Sequence, residues 1–72
     1  MGGLKERLER LPVGGGGVIV KMNRSPRMER IGLRPGTTVV CTYKSRGVVM
    51  LALGDRQIAL RRKALRDVWV DY

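Results

Sequence analysis

Histidine is absent from the chain, cysteine occurs once, and only six residues are acidic. Proton transfer or nucleophilic attack needs a base held beside its partner, and the carboxylates here are scattered in sequence. Ser25 and Ser45 lie beside turn residues with no evident activating base. Cys41 falls inside a β-branched run, where a thiol serves as a small buried hydrophobe. Alone, it cannot close an intrachain disulfide, in keeping with a reducing cytosol. These absences exclude the usual enzyme classes. Long apolar runs are missing as well: the longest is Val48 to Leu53, whereas a membrane-spanning helix needs about 20 residues. Residues 1 to 11 lack the apolar core and cleavage site of a signal peptide, so a cytoplasmic location is expected. Phenylalanine is absent and only Tyr43, Trp69 and Tyr72 are aromatic, so the interior must be aliphatic and base stacking has few platforms.

What is present fits one small domain. A chain of 72 residues has room for a single core cluster, since a domain of this size buries only roughly 60% of its unfolded surface. Hydrophobic residues at 43% argue against disorder, and ten glycines suggest tight turns between short strands. Fifteen Lys and Arg against six Asp and Glu leave a formal charge of +9, so a partner selected by charge is anionic.

Taken in order, Leu4, Leu8 and Leu11 recur at helical spacing among charges, predicting a short amphipathic helical turn over 4 to 10 that depends on docking for its order. Gly14 to Gly17 lack the flanking strand, helix and Gly-Lys-Ser/Thr ending of a phosphate loop and read as a flexible turn. Val18 to Met22 form a first strand and Thr37 to Tyr43 a second, with Thr37, Val39, Cys41 and Tyr43 sharing one face. After a loop over Lys44 to Gly47, Val48 to Leu53 make a third strand. Gly54-Asp55 is a two-residue hairpin turn leading to a fourth strand, Arg56 to Leu60. Arg61 to Arg66 read as a helical turn, and Val68 to Tyr72 as a last strand.

Between the first two strands lies the stretch with the strongest local signals. Ser25 is a helix N-cap and Pro26 suits the first helical position. Met28 and Ile31 fall on one face of a helix about two turns long. Gly32 is placed to end it in the left-handed conformation, with Leu33 packing back over the turn. Pro35-Gly36 redirects the chain into the second strand. Five short strands and one inserted helix are best closed into a small all-β barrel, with an OB-like barrel as rival to an SH3-like one.

The run Met28-Glu29-Arg30-Ile31-Gly32-Leu33-Arg34-Pro35-Gly36-Thr37 resembles the Leu-x-x-Leu-Gly-Leu-x-Pro-Gly signature of the bacterial ferrous-iron-transport A family (FeoA), with methionine and isoleucine for two leucines. Leu11-Pro12-Val13-Gly14 and Ile58-Ala59-Leu60-Arg61 with Ala64 extend the match. The resemblance implies an SH3-like barrel over 12–72 preceded by an N-terminal segment, 1–11. It also implies a non-enzymatic accessory role in ferrous iron uptake, with the cytoplasmic part of the membrane transporter as partner.

The basic residues form two clusters, and the candidate contact surface drawn from them is Arg27, Arg30, Leu33, Arg34 and Pro35 together with Arg61, Arg62, Lys63 and Arg66. One cluster is Arg24, Arg27, Arg30 and Arg34 around the helix and its exit, with Leu33 and Pro35. The other is Arg56, Arg61, Arg62, Lys63 and Arg66 around the last hairpin. Either a solvated face, contact with anionic headgroups or binding of RNA or DNA accounts for such clusters. The resemblance also raises ferrous iron or another divalent transition metal as a ligand. Cys41, Glu29, Met22, Met28 and Met50 supply at most a loose donor set, short of the three or four converging ligands a site needs. A site shared between subunits or with a transporter is the remaining route to metal.

Overall fold

Alternation along the strands decides which side chains the sheet buries. In the computed structural model, which describes residues 5–23 and 25–72, strand β3 (Thr38–Lys44) buries Val39 and Cys41, and β4 (Val48–Leu53) buries Val49 and Leu51. Strand β2 (Gly16–Lys21) buries Ile19 and leaves Val18 and Val20 outside. With β5 (Arg56–Arg61), β6 (Trp69–Asp71) and β1 (Lys5–Arg7) they form one antiparallel sheet in the order β1-β6-β2-β3-β4-β5. A single core cluster fills its concave side, all aliphatic or sulfur-bearing.

The sheet has six strands where the sequence implied five, and the extra one is β1. The leucine spacing predicted a helical turn here. Instead Lys5, Glu6 and Arg7 pair with Asp71, Val70 and Trp69, because a segment this short gains more from a neighbouring strand than from an isolated turn. Leu8 to Arg10 then form a 3-10 turn, whose period of three still carries both Leu8 and Leu11 into the core. Residues 5–11 are thus continuous with the rest of the fold, while Leu4 lies outside the described residues. The barrel is not closed by hydrogen bonds, since β1 and β5 stand at opposite ends of the sheet. The 3-10 turns that follow them, Leu8–Arg10 and Arg62–Leu65, pack together.

Two further readings of the strands are corrected. Tyr43 does not share the buried face of Val39 and Cys41: a register shift between Cys41 and Tyr43 rotates it outward, leaving it 53% exposed. The glycine run is not all turn. Gly15 closes a turn by donating to the Pro12 carbonyl at 2.8 Å, but Gly16 and Gly17 are strand residues. A Cβ on Gly17 would sit 2.8 Å from the Asp71 carbonyl oxygen, and one on Gly16 would sit 2.9 Å from that of Val39. Strand β2 is pressed between β3 and β6 too closely for any side chain there.

The helix α1 (Pro26–Arg30) follows its sequence signals, though it is shorter than two turns. The Met28 amide donates to Ser25 Oγ at 3.4 Å and Pro26 opens the helix. At the other end Gly32, with φ of +98°, donates to the Glu29 carbonyl at 3.0 Å and Leu33 donates to the Met28 carbonyl at 2.9 Å. That pair of bonds is the Schellman arrangement, which satisfies carbonyls the helix itself leaves open. Beyond it, Arg34 to Thr37 form a β-turn through Pro35-Gly36, closed at 3.1 Å, and the Gly36 amide is tied to the Ile19 carbonyl at 2.7 Å.

These two glycines serve different ends, and melting experiments separate them. Gly17→Ala should lower stability by about 1–3 kcal/mol through overpacking against backbone that has nowhere to move. Gly32→Val should cost about 1–3 kcal/mol through its left-handed backbone, although space around it is open. An unchanged melting temperature in either variant contradicts the corresponding account.

Candidate docking groove

Helix α1 and strand β5 stand side by side without filling the space between them. The result is a groove of about 780 Å³ whose apolar lining is Met22, Met28, Ile31, Ile58, Ala59, Leu60, Ala64 and Val68. Sequence position explains each part. Met28 is the inward side of α1 and Ile31 is its C-cap; Ile58 and Leu60 are the inward-alternating pair of β5, each only half-buried. Met22 leaves β2 just before the helix begins. Asn23, Ser25, Arg27, Arg61 and Asp67 complete the wall, and the Asn23 side-chain amide donates to Asp67 Oδ2 at 2.9 Å. The groove is thus apolar at its floor with a guanidinium on each bank. Arg56 Nη2 donates to the Ile31 carbonyl at 3.2 Å, linking the end of α1 to the start of β5 and placing a cation where the helix dipole is negative.

A second, shallower concavity of about 560 Å³ adjoins the first. Arg46, Arg61, Arg62, Lys63 and Arg66 line it with Gly47, Val48 and one carboxylate, Glu9. Arg61 belongs to both.

The residues expected at a contact surface therefore divide. Arg27 and Arg61 are brought to opposite banks of one groove, although they come from separate sequence clusters. Arg62, Lys63 and Arg66 line the neighbouring basic concavity. Arg30, Arg34 and Pro35 are exposed but line neither. Arg24 lies outside the described residues. Gly32, Pro35 and Gly36 hold the structural places expected of them, as helix stop and corner. Leu33 is a correction: it is 0% exposed and part of the core. The left-handed step at Gly32 aims it inward, so no partner can touch it. Sequence reading missed Arg46, which sits in a separate hairpin, and the groove role of Ile58 and Leu60. The hairpin turn signalled a strand here but not that it lies at the end of the sheet.

The donor set does not suit a resident metal ion. Among the described residues no group of three His, Cys, Asp or Glu converges. Cys41 is fully buried among aliphatic side chains, its Sγ 3.9 Å from the Tyr43 carbonyl oxygen. Met22 and Met28 face the groove with no carboxylate but Asp67 beside them. Trp69 offers no free ring face for stacking on the side of Arg7, whose guanidinium lies 5.5 Å from the ring centre.

Among the described residues, six antiparallel strands around one core with one short helix define a small SH3-like domain. The chain belongs to the FeoA family: the FeoA domain matches residues 6–72. Its fold is that of a crystal structure described as an iron uptake regulatory protein (FeoA), with a TM-score of 0.87, 21% identity, and coverage of 94% of this chain and 96% of that one. A manganese-dependent transcriptional repressor contains a similar domain, with a TM-score of 0.80, 19% identity, and coverage of 93% of this chain but 41% of the repressor. No curated protein sequence matches the chain. Among the described residues no helix is long and apolar enough to cross a membrane.

Replacing Leu33 by alanine tests its reassignment. The expected result is a stability loss of about 2–5 kcal/mol from a core cavity, read by chemical denaturation. A variant that keeps full stability and loses only partner binding restores Leu33 to the surface.

Proposed function

We propose that this chain is a non-catalytic accessory protein of ferrous iron transport, which docks on the cytoplasmic part of the membrane ferrous iron transporter and modulates uptake. Membership of the FeoA family supports the iron-transport context. The observation that carries the docking is the groove between α1 and β5, apolar at its base and flanked by Arg27 and Arg61. Apolar floors supply binding energy and charged rims supply orientation and encounter rate. Iron in this reading is the cargo of the partner. Beside a membrane-embedded partner the adjoining basic concavity meets anionic headgroups, each well-placed Lys or Arg adding about 1 kcal/mol.

Charge reversal on both banks, Arg27→Glu with Arg61→Glu, should weaken binding to the purified cytoplasmic domain of the transporter by about tenfold or more while the melting temperature holds, since both side chains are exposed. Undiminished binding removes the groove as the docking site.

A second reading, nucleic-acid binding, is favoured by one observation: five cations converge on the second concavity against a single carboxylate. Titration with single-stranded RNA at two salt concentrations checks it. Affinity falling by orders of magnitude between about 50 and 200 mM salt, well above that of a simple polycation, supports this reading. Binding no stronger than a polycation's supports the transporter reading.

A further inference from the structure

Among the described residues no strand pairs beyond β1 or β5, and the two ends of the sheet are not equally protected. Strand β1 is three residues long, and all three, Lys5, Glu6 and Arg7, carry charge. Short, charged edges resist pairing with another strand. Strand β5 is twice as long and runs in uninterrupted register with β4 from Val48↔Arg61 to Leu53↔Arg56, with no bulge. Its four central residues, Gln57-Ile58-Ala59-Leu60, contain neither charge nor proline. By the rules that keep natural edges from sticking, this one is unguarded.

The direction of its backbone groups follows from one bond. The Arg62 amide donates to the Gly47 carbonyl at 3.0 Å, which sets the phase of the antiparallel ladder. Bonded pairs recur every second residue, at Leu60↔Val49, Ile58↔Leu51 and Arg56↔Leu53. Gln57, Ala59 and Arg61 therefore aim their N–H and C=O groups away from β4, along the free edge. The inward side chains on the same strand, Ile58 and Leu60, line the apolar groove.

We propose that β5 accepts an extended acidic segment of the partner as a seventh, antiparallel or parallel strand. Alternate apolar side chains of the segment drop into the groove, and its carboxylates meet Arg27 and Arg61. Backbone bonds to an exposed edge supply affinity in such β-addition, while pockets for alternate side chains supply selectivity. Charge decides the sign of the partner. The groove's banks carry Arg27 and Arg61, its one carboxylate, Asp67, is bonded to Asn23, and the chain as a whole carries +9. This rests on the docking role proposed above and names the chemistry that the docking surface recognises.

The test uses the intact protein and an end-blocked ten-residue peptide alternating glutamate with leucine. Controls are the same peptide with its leucines clustered at one end, and a version N-methylated at every second residue. Binding is followed by backbone NMR and amide hydrogen exchange. The expected result is protection of the Gln57, Ala59 and Arg61 amides on adding the alternating peptide, with both controls weaker by about tenfold, the scale of an unmade backbone bond. Ala59→Pro removes an outward N–H that the ladder does not use, so the native spectrum should persist while affinity drops about tenfold. Equal binding of the N-methylated peptide, or exchange at these amides unchanged by the alternating peptide, overturns the proposal, and neither measurement depends on the proline variant folding. Protection of the same amides in the free protein at high concentration, with dimerisation, assigns the edge to a second copy and overturns it as well. Binding of the transporter's cytoplasmic domain is measured in parallel. If wild type and Ala59→Pro bind that domain equally, the docking role stands and the edge does not. If the peptide adds to β5 but that domain does not bind, the edge stands and the transporter reading falls.

Discussion

Leu33 is the pin on which the molecule turns. It is fully buried in the single core cluster, and the residue before it is the left-handed Gly32 that ends α1. Helix and core are therefore joined over one peptide unit: the same Schellman bonds that close the helix also fix the direction in which Leu33 enters the interior. A five-residue helix has little stability of its own. Its position over the sheet comes from this pin, from Met28 beneath it, and from the corner at Pro35-Gly36 that is tied back to Ile19. Arg56 then fixes the helix end to β5 from outside. The groove lies where α1, held at its C-terminal end, does not close onto the strand.

Local signals with one physical solution were legible in the sequence. Ser25-Pro26 before a methionine, and Gly32 before a leucine, leave the backbone few alternatives, and both helix ends fall where those residues place them. The Gly54-Asp55 hairpin and the two strands it joins are of the same kind. Pairings between distant segments were not legible. Nothing within Lys5–Arg7 announces that β6, more than sixty positions on, offers it a neighbour. Leucines at spacing three and four suit a helix and a 3-10 turn alike, so the period alone misassigned the segment. Gly16 and Gly17 were obscure for a related reason: a glycine demanded by the approach of two other strands looks, in one dimension, like a glycine in a loop. The groove falls between these cases. Its arginines were visible as charge, but only the fold reveals that Arg27 and Arg61 line one groove and that Leu33 does not join them.

The relatives show how little of the sequence this backbone requires. An FeoA crystal structure and a domain of a manganese-dependent repressor superpose closely at 21% and 19% identity. A core of aliphatic side chains on short strands can be rebuilt from many combinations provided volume and alternation are kept. Binding properties reside in what such a scaffold leaves outside. What this scaffold leaves outside includes the arginines and the lysine that line its two concavities.

The inequality of the two sheet margins has a consequence for assembly. A protein with two receptive margins can be extended from both ends, each newcomer presenting a fresh surface for the next, and such growth has no natural limit. On the proposal above, Lys5, Glu6 and Arg7 shield one margin and leave β5 as the receptive one, so two copies meeting edge to edge through β5 bury both receptive margins and growth ends at the pair. A charged triplet on one outermost strand is, by the same rule, what natural sheets use against edge-to-edge growth, while the opposite margin stays open.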